Sequence, residues 1–144
     1  MATSEQPDPA MMAPIERVAA FIAAGGVGSA AEAFAKSDVT ILENFAPYLF
    51  IGPSAVETWA IGMRDHLHGV AALRHEFGQP HNFSRSDDLV FLSLPTQWSG
   101  VVGGGAFVER GGWCFVLTKQ GHEWRIRNYG WAVTELSVAP LAAA

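Results

Sequence analysis

The stretch Val39-Thr40-Ile41-Leu42-Glu43-Asn44-Phe45 is where the chain changes period. Val39, Ile41, Glu43 and Phe45 fall on one face of an extended segment, and Thr40, Leu42 and Asn44 on the other, because successive strand side chains point to opposite sides. Upstream the spacing is helical. Pro14 suits a first helical position, and Ile15, Val18, Ala19 and Ile22 recur at helical intervals, which predicts a helix over 14–24 ended by Gly25, Gly26 and Gly28. Ser29 and Glu32 have the spacing of a capping box for a short second helix carrying Phe34. Residues 1–13, with Pro7 and Pro9 and no periodicity, read as a disordered arm.

Downstream, Pro47 turns the chain, Tyr48 to Ile51 can pair back as a short hairpin arm, and Gly52-Pro53 stops it. Ser54 and Glu57 repeat the capping-box spacing and open a third helix, with Val56, Trp59, Met63 and Leu67 on one stripe and an end near His68-Gly69. Four segments of a meander follow, over 72–85, 89–99, 104–119 and 122–134, with turn residues at Ser86-Asp87-Asp88 and Gln120-Gly121. The domain so defined spans 14–137 and leaves 138–144 as a tail. Helices followed by a long antiparallel meander make an α+β domain. A strongly bent sheet wrapped around a helix leaves a hollow at one end, where small ligands bind.

The 144 residues fit one domain, and a net charge of −5 argues against nucleic acid or an anionic membrane as the main partner. No apolar run reaches the ~20 residues of a membrane helix, and no basic residue precedes Arg17, which speaks against a secretory signal. A cytoplasmic protein is the expectation. One cysteine, Cys114, excludes an intrachain disulfide and a Cys-cluster metal site. Gly103-Gly104-Gly105 lacks a following helix and a P-loop Lys, so it reads as a loop tip rather than a phosphate cradle.

The face shared by Val39, Ile41 and Phe45 puts the Glu43 carboxyl among apolar neighbours. Desolvation would raise its pKa and make it a competent base near neutral pH. His75 lies between Leu73 and Phe77 on one strand face, as a proton shuttle or a core histidine. His66 continues the stripe of Trp59 and Met63, whereas His68, about 200° around the axis, cannot share a metal with it. No His pair has the four-residue helical spacing, so no metal is expected, and no cofactor is expected because proton abstraction next to a carbonyl runs on side chains alone. Trp59, Met63, Trp98, Trp113, Phe115, Tyr129 and Trp131 would line an apolar pocket, suited to an aromatic or polycyclic ligand. By alternation from Trp124 and Ile126, Asn128 would face that pocket, unless a bulge near Gly130 exchanges it for Tyr129 and Trp131. Arg125 and Arg127 would lie on the outer face, paired with acids across strands. Cys114, Val116 and Thr118 make that outer face apolar too, which favours a homodimer through it.

Four stretches together resemble the nuclear transport factor 2-like superfamily, with its SnoaL-like and ketosteroid-isomerase-like proteins, over residues 14–134. They are Val39-Thr40-Ile41-Leu42-Glu43, Gly52-Pro53-Ser54-Ala55-Val56, Gly112-Trp113-Cys114-Phe115-Val116-Leu117 and Glu123-Trp124-Arg125-Ile126. The resemblance implies a cone-shaped half-barrel, a curved, mainly antiparallel sheet wrapped around N-terminal helices, and a dimer through the outer sheet face. In the isomerase branch an acid on the first strand acts as base, and Glu43 occupies the matching position. That branch also places a Tyr on the first helix and an acid on a late strand, where this chain has Val18-Ala19-Ala20-Phe21 and Trp113. The resemblance leaves two functions open: a cofactor-free isomerase, cyclase or lyase with Glu43 as base and His75 or His66 assisting, or a non-catalytic module holding an apolar ligand or a protein partner.

Overall fold

The first helix opens earlier than the position of Pro14 predicts. In the computed structural model, which describes residues 5–141, α1 runs Pro9–Ala23. Asp8 caps it, its Oδ1 accepting from the Met11 amide at 3.1 Å, and Pro9 takes the first helical position, where no N–H is required. Pro14 therefore lies inside the helix, and the expected arm is helical from residue 9; residues 1–4 fall outside the described residues. The helix closes with the Gly26 amide on the Phe21 carbonyl and the Gly25 amide on the Ile22 carbonyl, both at 2.9 Å. This closure needs a left-handed residue at Gly25, whose φ is 75°. The expected second helix is only a 3-10 turn, Ala31–Ala33. Ser29 does accept from the Ala31 amide, but Glu32 turns away to Arg17 at 3.1 Å, so the reciprocal box does not form.

Strands β1 (Thr40–Leu42) and β2 (Leu49–Phe50) form the short hairpin arm, and α2 (Ala55–His66) follows. Ser54 stands at its N-cap without a side-chain bond; instead the Thr58 hydroxyl turns back to the Ser54 carbonyl at 2.8 Å. Arg64 Nε donates to the Gly26 carbonyl at 3.0 Å and ties the end of α1 to α2.

The remaining strands are β3 (Val70–Phe77), β4 (His81–Ser86), β5 (Leu89–Val102), β6 (Gly105–Gln120) and β7 (Glu123–Pro140). The expected single strand over 72–85 is broken in two. Gly78 gives its amide to the Pro95 carbonyl at 2.7 Å, and Pro80 has no amide to give, so the ladder stops and resumes. The sheet order is β2-β1-β7-β6-β5-β3, with β4 also on β5; β1 runs parallel to β7 and all other pairings are antiparallel. β7 continues to Pro140 along β6, so the expected tail begins inside a strand; residues 142–144 lie outside the described residues.

Curvature comes from bulges. Along β6–β7 the pairs Val116↔Asn128 and Leu117↔Ile126 leave Arg127 unopposed, and Arg110↔Glu135 and Gly111↔Val133 leave Thr134 unopposed. Each extra residue bends the strand and increases its twist. The concave face so formed wraps α1 and α2 and buries Leu92, Leu94, Trp113, Phe115, Leu117, Ile126 and Tyr129 against Ile15, Val18 and Trp59. The architecture is the curled, unclosed α+β cone. Among the described residues no helix is long and apolar enough to cross a membrane.

Candidate functional site

A cavity of about 300 Å³ opens at one end of the cone. Its walls are Met63 and His66 of α2 with Leu67 just after it, Trp98 of β5, Phe107, Glu109 and Trp113 of β6, and Trp131, Leu136 and Val138 of β7, with Glu43 and Asn44 following β1.

Glu43 reaches this cavity because its neighbours leave it no other side. The Glu43 amide donates to the Tyr48 carbonyl at 2.9 Å, which extends the β1–β2 pairing by one residue and keeps Glu43 in phase with the buried Val39 and Ile41. The residue is only 8% exposed, and no cation pairs with it among the described residues. Burial pushes its carboxyl up to about 7, opposed by the Tyr129 phenol and the Trp59 indole and reinforced by the charge of Glu109. Those two donors stand behind the carboxyl, in the core. Neither Trp59 Nε1 nor Tyr129 Oη makes a well-formed hydrogen bond among the described residues, so they moderate the desolvation without cancelling it. Burial and the adjacent Glu43 push the Tyr129 phenol well above its ordinary range and keep it protonated.

His66 stands at the mouth, one ring face stacked on Phe45 with centroids 4.6 Å apart. Partial burial lowers its pKa against the opposing pull of Glu109, so the imidazole is neutral at pH 7. His75 lies outside the cavity. It packs against Trp98 and Phe77 at 5.2 and 4.9 Å, and burial likewise lowers its pKa, with Glu16 raising it.

Trp59, Phe115 and Tyr129 form the floor beneath Glu43 rather than the cavity wall, whereas Met63, Trp98, Trp113 and Trp131 line the cavity directly. Asn128 faces the other way. The spare residue Arg127 shifts the alternation, so Tyr129 and Trp131 point inward and Asn128 joins Thr40 and Arg127 along an outer groove. Arg125 does not pair across strands; it bridges Glu123 on its own strand at 2.8 Å and the Glu32 carbonyl at 2.8 Å. Among the described residues no three His, Cys, Asp or Glu side chains gather closely enough to hold a metal.

Glu109 is the residue that the sequence reading passed over. Its Oε1 accepts from Trp131 Nε1 at 2.9 Å. Strict alternation backwards from Trp113 through Gly111 would have found it, since β5 and β6 pair without a shift along that length. Gly111 makes the arrangement possible. A Cβ there would stand 2.2 Å from the Ala132 carbonyl and 2.7 Å from the Trp131 ring. Gly111→Ala is therefore expected to cost about 1–3 kcal/mol and to displace the Trp131 indole, seen as lower stability in urea and a red-shifted tryptophan emission.

No family model matches the chain, and no curated protein matches it in sequence. Solved structures do match. A Kribbella flavida protein superposes with a TM-score of 0.73 at 10% identity, covering 88% of this chain and 90% of that one. A hexachlorocyclohexane dehydrochlorinase superposes with 0.73 at 13% identity over 94% and 88%. A CaMKII hub from S. rosetta superposes with 0.67 at 14% identity over 92% and 100%. The chain thus has the nuclear transport factor 2-like fold.

Proposed function

We propose that the chain is a cofactor-free small-molecule enzyme of the isomerase, cyclase or lyase kind, with Glu43 as the general base. The reading rests on one observation: an unpaired, buried carboxyl with a pKa near 7 at the head of an apolar cavity. A base titrating near the working pH combines a populated carboxylate with real proton affinity. His66, neutral and on the same cavity wall, is the partner that accepts or returns a proton. His75 lies beyond Trp98 and takes no part in this mechanism. The substrate is an apolar molecule, aromatic or polycyclic, held by Trp98, Trp113 and Trp131.

A generic carbon acid tests the base. Deprotonation of 5-nitrobenzisoxazole breaks its N–O bond and releases a coloured phenolate, and a desolvated carboxylate accelerates this strongly. The expected result is a rate that rises through an apparent pKa near 7 and is lost in Glu43→Gln. A rate no greater than that of free acetate, or one unchanged in Glu43→Gln, would overturn the reading. It would favour a module that binds an apolar ligand without turnover. The specific support for that second reading is that Trp59 Nε1 and Tyr129 Oη face Glu43 rather than a substrate oxygen, leaving the cavity short of oxyanion donors.

We also propose a homodimer through the outer sheet face. Leu42, Phe91 and Cys114 are exposed there, and Gly130 lies between Leu42 and Cys114, so the three positions form one continuous patch. Sedimentation at micromolar concentration should give twice the 15.4 kDa chain mass; particles of 15.4 kDa alone would refute it.

A further inference from the structure

The cavity described above holds two carboxylates, one neutral imidazole and four large aromatic rings, and its wall has no Lys or Arg among the described residues. The basic residues beside it in sequence are engaged elsewhere. Arg64 is bound to the Gly26 carbonyl, and Arg110 lies on the outer face with Gln97 and Glu135. Glu109 is half-buried and held from one side by Trp131 Nε1. Its second oxygen has no partner among the described residues. Around it, Trp113 stands edge-on to both Trp98 and Trp131, each pair at 6.2 Å.

We infer that this cavity takes an organic cation: an apolar body carrying a protonated or quaternary nitrogen, seated against the Glu109 carboxylate and the indole rings that line the wall, Trp98, Trp113 and Trp131. Indole faces attract cations through the ring quadrupole, most strongly where water is excluded. A half-buried carboxylate without a counter-ion adds charge complementarity that a neutral ligand would leave unused. The same wall repels an anion twice, through Glu109 and through the ionised fraction of Glu43. The inference deepens the cavity reading above by naming the ligand class, and it does not depend on Glu43 acting as a base.

Three probes with one apolar cage separate charge from shape: 1-adamantylamine, protonated at pH 7.5, neutral 1-adamantanol, and 1-adamantanecarboxylate. Calorimetric titration of the wild-type protein should show the ammonium binding about tenfold tighter than the alcohol, or more, and the carboxylate binding weakest. Glu109→Gln should reduce the ammonium preference to within about threefold. Trp131→Phe, which keeps an aromatic ring but a weaker one and removes the N–H that holds Glu109, should reduce it partly. An alcohol that binds as tightly as the ammonium, a carboxylate that binds best, or no binding by any probe would overturn the inference on wild-type protein alone. So would a preference undiminished in Glu109→Gln. If all three probes bind alike while benzisoxazole is still cleaved through Glu43, only the cation falls and the proposed base stands.

Discussion

Glu43→Gln is expected to melt higher than the parent at pH 8 and close to it at pH 5. The parent carboxyl titrates at about 7 in the fold against an ordinary 4.5. A raised carboxyl pKa costs stability. The cost is absent below the unfolded value, grows as pH rises through the interval from 4.5 to about 7, and is constant above it. A displacement of this size corresponds to on the order of 3 kcal/mol at pH 8, and the melting temperature should rise by on the order of 5 °C or more. Glutamine keeps the shape and leaves an amide oxygen facing the Trp59 and Tyr129 donors. In the same variant, benzisoxazole cleavage should fall by about 10²–10⁴-fold. Paired thermal melts at the two pH values decide the first part. A glutamine variant clearly less stable at pH 8 would mean that the carboxylate is ionised and paired, and the base role would fall with it.

The second large effect is expected at Trp113. This side chain is 2% exposed, and its ring meets Phe115 at 4.9 Å, Tyr129 at 5.5 Å, and Trp98 and Trp131 at 6.2 Å. Removing it leaves a hole that these four stiff rings cannot close. Trp113→Ala should cost about 3–5 kcal/mol. Trp113→Phe should cost far less, because it keeps a ring in the cluster and deletes an indole N–H that has no acceptor among the described residues. Urea titrations of both variants, read by circular dichroism, check the order. Equal losses would mean that a phenyl ring does not restore the packing, and the volume argument would fall.

Strand-period patterns transferred well to the fold, because a strand's facing can be read two residues at a time. Val39, Ile41 and Glu43 came out on one side, and that side is the buried one. Helix ends were harder. Asp8-Pro9 is an opening signal as good as Pro14, and only the burial of Met11 distinguishes them. The two capping boxes had correct spacing but neither closed: Ser29 accepts from Ala31 while Glu32 pairs with Arg17, and Ser54 makes no side-chain bond at its N-cap. For the site, local alternation ran out at the bulges. Arg127 carries no local mark of being the extra residue, so Asn128 and Tyr129 could not be ranked without the pairing partner. Glu109 was legible in principle, but only by counting back through two glycines that themselves suggested a break.

The two spare residues of β7 have a consequence for how such a cavity could change. Arg127 and Thr134 each add length on one strand without altering which neighbours face inward: Ile126 and Tyr129 stay on one side across the first, and Val133 and Leu136 across the second. Deleting either would therefore leave the inward roster intact and straighten the strand. Volume and chemistry are written in separate places along this chain. Point substitutions at Glu43, Glu109 or the tryptophans edit what the hollow recognises, and single-residue insertions or deletions at the two spare positions edit how large it is. A lineage could then resize its ligand without first surrendering the groups that hold it.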